Sequence, residues 1–408
     1  MSGSLVDFTR KGYAAPPAGD TWEVVKRIAT GLADSGHGAA AFAQAASGAA
    51  AGLRGESADF AVVFAGGVNV AHLGEGLEAV ADVLPAKTVI GCGAQGVVGS
   101  GRELEQGGVA VWAASLPGAR IEPFHVRAQP HGDDQVAVTG VPDLDEAEVL
   151  VALVDPYSFP IEPMLQQLAL VHPGLPVVGG LASAGAPGGA ALVADGRLVA
   201  DGAVGVTLAG VEVETCVSQG ARPVGPEMVV TEAEGNVIYQ LASKPALERL
   251  HEAIAELSPS EQMLAATGVL VGIVVDENQP DYERGDFLIR GLLGVDEEEH
   301  SVTIGEQVRV GQTVRLQVRD AESADEDLHH ALDAGRARLS GPASGALIFT
   351  CNGRGSHMFG SPDHDARVLQ TALGGAPAAG FFCAGEIGPV GPRNFVHGFT
   401  ATIAVFGP

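Results

Sequence analysis

The sequence predicts an α/β protein of two domains, in which repeated strand-helix-strand-strand units form mixed sheets. Three observations predict this. Short apolar runs bounded by Gly and Pro flank single helix-like segments, that order of elements occurs three times, and the texture changes near residue 220 to a strand-rich stretch. With 408 residues and 46% hydrophobic content the chain can bury a sizeable core, and length alone suits two or three domains.

At the N-terminus, Asp20-Thr-Trp-Glu23 is a capping-box-like start, and Trp22, Val25, Ile28 and Leu32 recur at helical spacing, so a first helix is expected. Alanine content predicts a second helix over 39–51. The first copy of the repeat then spans about 58–114. Its strands are at 61–65, 88–96 and 107–112, with a helix at 74–84. Pro and Gly between 115 and 126 favour turns and extended pieces, and a polar loop follows from Gln129 to Gln135.

The second copy spans about 148–210, with strands at 149–155, 176–180 and 201–208 and a helix at 161–171. The strand-rich part then begins with runs at 211–217 and 222–230, a turn at 231–236 and a run at 237–241. Pro245 is expected at the first position of a helix to Leu257, whose Leu247, Leu250, Ile254 and Leu257 make one apolar stripe. Strands are expected at 268–275, 287–289, 301–304 and 313–319, the last with one polar and one buried face. Ser323-Ala-Asp-Glu326 reads as a capping box that starts a helix through Leu339, carrying His329 and His330 on its solvent face.

The third copy, about 345–406, holds the densest polar set. Strands at 346–351 and 377–383 flank a helix at 363–373, and a βαβ unit places the ends of its parallel strands on one edge of the sheet. Cys351, Asn352, Gly353 and Arg354 therefore come beside Cys383, Gly385 and Glu386. Ligands of open α/β sheets bind outside such strand ends. A cation, a carboxylate, an amide and thiols meet there, with glycines that let backbone N–H groups approach a small molecule. Packing alone is the competing reading, with Arg354 and Glu386 paired to each other. Taking Gly91, Gly179 and Gly380 as equivalent aligns the copies. The first then offers Asn69 with Cys92 and Gln95, and the second Asp155 and Tyr157 with Ser183; shared packing is the preferred reading for both, since Val97 stands where the third copy has Glu386.

The 50 acidic against 23 basic residues give a net charge of −27, which repels phosphate backbones and anionic membranes. Nucleic acid and membrane are excluded as partners on this ground. No secretory leader and no run of 18 apolar residues is read, and four cysteines without a CxxC pair look like reduced thiols in a cytoplasmic protein, with no zinc site.

The chain resembles the FIST family (F-box and intracellular signal transduction proteins). Thr88-Val-Ile-Gly-Cys-Gly-Ala-Gln-Gly-Val97 with Glu103 is similar to its N-terminal domain. Pro245-Ala-Leu-Glu248, Phe349-Thr-Cys-Asn-Gly-Arg-Gly355, Ala384-Gly-Glu-Ile-Gly-Pro389 and His397-Gly-Phe-Thr400 are similar to its C-terminal domain. The resemblance implies a FIST N-terminal domain over 1–220 and a FIST C-terminal domain over 221–408. It further implies a sensory module for amino acids or related metabolites, coupled to a signalling protein partner. No cofactor is predicted, although some relatives bind haem. Arg354 is expected to hold a ligand carboxylate in a two-pronged grip, Glu386 to answer an amino group, and Asn352 to fix orientation. Two alternatives stand on the same scaffold: a cysteine-dependent enzyme using Cys351 or Cys383 with His357 or His397 as base, and a haem-binding gas sensor.

Overall fold

A computed structural model describes residues 26–99, 101–131, 135–185 and 191–408. The first copy and its leader contain β1 (Arg27–Ala33), α1 (Ala39–Leu53), β2 (Ala58–Gly66), a 3-10 segment Gly67–His72, α2 (Leu73–Val83), β3 (Ala86–Ala94), β4 (Val97–Gly99), β5 (Arg102–Leu104) and β6 (Val109–Ser115). The second has β7 (Arg120–His131), β8 (Gln135–Thr139), β9 (Val149–Val154), α3 (Ile161–Val171), β10 (Val177–Leu181), β11 (Leu192–Ala194), β12 (Arg197–Val199) and β13 (Ala203–Ala209). Next come β14 (Val213–Ser218), β15 (Arg222–Glu234), β16 (Val237–Leu241), β17 (Lys244–Pro245), α4 (Ala246–Ala255), α5 (Pro259–Thr267), β18 (Leu270–Val274), β19 (Phe287–Asp296), β20 (Ser301–Ile304), β21 (Thr313–Val318) and α6 (Ala321–Arg338). The third copy has β22 (Gly345–Cys351), α7 (Ser356–Phe359), α8 (His364–Ala372), β23 (Ala378–Cys383), β24 (Glu386–Val390), β25 (Arg393–His397) and β26 (Ala401–Phe406).

The expected repeat is present in all three copies. Each has a parallel pair (β2–β3, β9–β10, β22–β23) and a last strand antiparallel to the first of them (β6, β13, β26). The alignment on glycine has a physical basis. A methyl group on Gly91, Gly179 or Gly380 would overlap the carbonyl oxygen of Val63, Ala152 or Ile348, the residue opposite it on the parallel neighbour.

Between its second and last strands each copy carries a short hairpin that joins another copy's sheet. The first copy's β4–β5 pairs with β23, the second copy's β11–β12 with β3, and the third copy's β24–β25 with β10. This exchange makes Glu386, expected at the open end of the third copy's sheet, the first residue of a strand whose partners lie in the second copy. The leading residues of the hairpins, Val97, Leu192 and Glu386, pair with Phe381, Cys92 and Gly180, each of which directly follows its copy's aligned glycine. Two of these equivalent positions bury an apolar side chain in the common core; the third buries a carboxylic acid.

The three sheets share one core, in which Phe64 stacks on Phe381 at 5.2 Å and Trp112 packs on Phe406 at 5.0 Å. Their other faces are covered by α1 and α2, by α3, and by α6 and α8. The fourth sheet is antiparallel throughout, in the order β15-β21-β18-β19-β20-β16, and a β15–β16 pairing closes it into a barrel with its own apolar interior. Among the described residues, no helix is long and apolar enough to cross a membrane.

Other local readings are corrected. Residues 27–33 are a strand, not the end of a first helix, while Asp20 to Val25 lie outside the described residues. Ile28 and Leu32 are four apart, an even number, so they share one face of a strand as readily as one face of a helix. What decides is Gly31 on the opposite face, packed so closely that a methyl group there would overlap the Ala45 carbonyl of α1. Pro245 precedes α4 with extended backbone and is not its first residue. Helix α6 begins at Ala321 under an Asp320 cap whose carboxylate accepts the Ser323 N–H at 2.6 Å, so Ser323 lies inside the helix. His329 and His330 are exposed, as expected.

Candidate functional site

Strand β22 delivers Cys351 to the sheet edge, and a turn closed by the Arg354 N–H donating to the Cys351 carbonyl at 2.9 Å carries Asn352 and Gly353. The Asn352 N–H donates to the Cys383 carbonyl at 2.9 Å, so the two strand ends meet as the βαβ geometry requires. Gly353 lies against the Phe399 ring, where a side chain would collide at 2.5 Å. Gly385 and Ala384 bond across to Leu181 of the second copy. All seven predicted site residues are thus gathered within one region, though Gly385 is held mainly by its neighbour's sheet.

Their roles differ from expectation at Arg354. The guanidinium is 1% exposed and already gripped in a two-pronged pair, Nε to Asp365 Oδ2 at 2.7 Å and Nη2 to Oδ1 at 2.8 Å. The edge that would clamp a ligand carboxylate is therefore used internally, and Arg354 pairs with Asp365 and not with Glu386. Thr350 Oγ1 donates to the same carboxylate at 2.7 Å, and His364 bridges it to Asp325 at 3.0 Å on each side. Burial alone would raise the Asp365 acid, but Arg354 and these hydrogen bonds outweigh it and hold it well below the ordinary carboxylate range. Nη1 of Arg354 remains without a partner and lies 3.0 Å from where a Cβ on Gly220 would stand.

Glu386 is fully buried. Oε2 accepts the Thr400 N–H at 3.0 Å, while Oε1 has no partner. Burial pushes this acid up to about 8, against the lowering effect of the Thr400 N–H, the Cys351 thiol and Arg354. Burial first, then the Glu386 charge, pushes the Cys351 thiol to about 12, and burial likewise raises Cys383 well above its ordinary value. The thiolate that a nucleophile needs is disfavoured at both. Neither proposed base helps. The His397 ring donates from Nε2 to the Gly388 carbonyl at 3.1 Å and is pushed down to about 4 by burial, and His357 is exposed on α7.

Sequence reasoning missed Arg319, just past β21. Burial lowers its guanidinium to about 10; it stacks 4.1 Å over Phe399, and it senses Cys351, Arg354 and Glu386. Its buried Nε is unpartnered. The signal was the polar face of the strand ending Arg315-Leu-Gln-Val-Arg319, on which Gln317 is 1% exposed and Arg319 reaches Phe399 of the third copy. Asp327 of α6 was also missed. Its carboxylate accepts from Ser218 Oγ at 3.0 Å and the Gly220 N–H at 3.1 Å, fixing the turn that faces Arg354.

The first two copies give their candidates structural duties. Asn69 Oδ1 accepts the Gly38 N–H, Ser183 Oγ accepts the Gln95 N–H and donates to the Phe382 carbonyl, and Asp155 accepts from Tyr157 and Ser158.

The acid at Glu386 has a testable consequence. It keeps its proton longer in the folded than in the unfolded state, so stability falls as pH rises from about 4.5 to 8. Glu103, pushed to about 7 first by burial, acts in the same direction, whereas His397 opposes both, but only below pH 6.5. Urea denaturation between pH 6.5 and 8 should therefore show a falling stability that Glu386→Gln flattens; an unchanged slope in the variant would remove Glu386 as its source.

Family models described as the FIST N domain and the FIST C domain match residues 59–244 and 246–389. An uncharacterized protein of Mycobacterium tuberculosis is 44% identical over 383 residues, covering 93% of this chain and 99% of the relative. An uncharacterized protein of Mycobacterium bovis is 41% identical over the same length, covering 93% and 98%.

Proposed function

The chain belongs to the FIST family, which is associated with signal transduction and sensing, and from that premise we propose that it senses a small zwitterionic metabolite of the amino acid class. One observation carries the reading: buried polar atoms of both kinds stand unpartnered in a single cluster. Arg354 Nη1 and Arg319 Nε are donors, and Asn352 Oδ1 and Glu386 Oε1 are acceptors. A buried polar group left unpaired costs roughly 1–3 kcal/mol, so a molecule bearing a carboxylate and an ammonium group recovers that cost at both ends. In this reading Arg319 and the free Nη1 of Arg354 hold the carboxylate. Asn352 and Glu386 take the ammonium, which favours the ionised acid and couples binding to proton release.

A signalling protein would read the bound state. The cytoplasmic assignment rests on four unpaired, buried cysteines, which suit a reducing compartment. Haem, which needs an axial His, Cys, Met or Tyr in an apolar pocket, is the alternative that the same screen tests.

The test is a thermal-shift screen of the whole protein against amino acids, small carboxylates and haem. A ligand at about a hundred times its dissociation constant stabilises the fold by roughly 2.7 kcal/mol. An amino acid should give such a shift, and Arg319→Gln should abolish it without lowering the unliganded midpoint. A flat panel, or a shift indifferent to Arg319→Gln and Glu386→Gln, would overturn the proposal. The enzyme alternative has its own check: with thiols pushed up by burial, no cysteine should react with iodoacetamide at neutral pH faster than free cysteine. One fast-reacting thiol would reinstate nucleophilic chemistry.

A further inference from the structure

A second feature lies beside α8, where the first and third copies adjoin. A cleft of about 420 Å³ is walled by the start of β1, the end of α1, and the segment joining α8 to β23. Its charged lining residues are Arg27 and Arg54, with no acidic residue among the lining groups, in a chain that carries 50 acids against 23 bases. Among the described residues neither guanidinium has a hydrogen-bond or ion-pair partner, and Arg27 Nε is buried without one. Every other wall suits the body of a small molecule: Ile28, Val98, Leu369 and Pro377 are apolar, and Thr30 and Gln370 supply polar edges.

We infer that this cleft is a second ligand site, which takes a small organic oxyanion, a carboxylate or phosphate group on an apolar body, between Arg27 and Arg54. Two guanidiniums without acidic partners form the donor set that planar carboxylates and phosphates fit best. In a chain of net charge −27, an anion in this cleft meets two cationic lining residues and no acidic one. The site is separate from the buried cluster but touches the same helix, since Ala366 lines the cleft while Asp365 holds Arg354.

The experiment is calorimetric titration of the full chain at low ionic strength with benzoate, phenyl phosphate and inorganic phosphate. Benzoate or phenyl phosphate should saturate with one molecule per chain, and the stronger of the two identifies the headgroup. Inorganic phosphate should bind at least tenfold more weakly than phenyl phosphate if the apolar walls contribute. Arg27→Gln and Arg54→Asn should each weaken binding at least tenfold, with unchanged denaturation midpoints. Asparagine suits position 54, where the backbone is left-handed at φ 53°. Arg319→Gln should leave this binding intact. The inference is overturned if neither aromatic probe saturates, if the Arg27→Gln/Arg54→Asn double variant binds as the parent does, or if Arg319→Gln abolishes binding.

Discussion

Arg354→Ala should destabilise the protein by about 3–5 kcal/mol, the cost of leaving a buried charge without its partner. Asp365 is 1% exposed, and its two shortest contacts to a cation are both with Arg354. The loss would extend beyond the pair. Thr350 and His364 donate to or share the same carboxylate, and Asp365 lies in the first turn of α8, so an unpaired charge there loosens the helix that covers the third sheet. Urea denaturation of the variant gives the number. Replacing both partners together, Arg354→Met with Asp365→Leu, should restore part of the stability, because two apolar groups need no compensation. A single-variant loss under about 1 kcal/mol would show that solvent reaches the pair, since exposed pairs are worth that little.

Gly380→Ala should be of comparable severity. The methyl group has no free direction, because the obstacle is the Ile348 backbone carbonyl on the neighbouring strand and not a side chain that can turn away. Overpacking of cores costs about 1–3 kcal/mol and occasionally more, and a rigid backbone obstacle between paired strands places this case at or above the upper end. The effect should appear as loss of soluble folded protein or a denaturation midpoint far below that of the parent. Gly91→Ala and Gly179→Ala test the same contact in the other copies, against Val63 and Ala152. If Gly380→Ala kept the parent's midpoint, the close strand approach at the third copy would be wrong. Gly196→Ala probes a different effect, since no atom lies within reach of the new methyl group and only the left-handed backbone, φ 73°, resists it. Its loss should be about 1 kcal/mol, well below that of Gly380→Ala.

The repeat, its helices and the meeting of the two strand ends in the third copy could be read from the sequence. Each rests on local information: apolar runs of strand length, glycines at fixed offsets, and the fixed handedness of a parallel crossover. These rules place Cys351 beside Cys383 without any knowledge of the rest of the chain, and Cys351 does pair with Cys383 across β22 and β23. They also gather Arg354 and Glu386 into one region. Residue 28 shows where local information fails, because a spacing of four satisfies strand and helix alike and only the close packing of Gly31 against α1 separates them.

Tertiary structure alone decided what those side chains do. Asp365 takes the two-pronged face of Arg354 after a turn and a short helix bring it back, a contact that no periodicity encodes. Arg319 comes from the barrel, and Glu386 is buried because its hairpin completes the second copy's sheet. Each of these depends on segments distant in sequence being pressed together, and a buried charge must find its partner wherever the fold places one. The sequence determined which groups reach the strand ends; the packing of three copies and a barrel determined which of them remain unpaired.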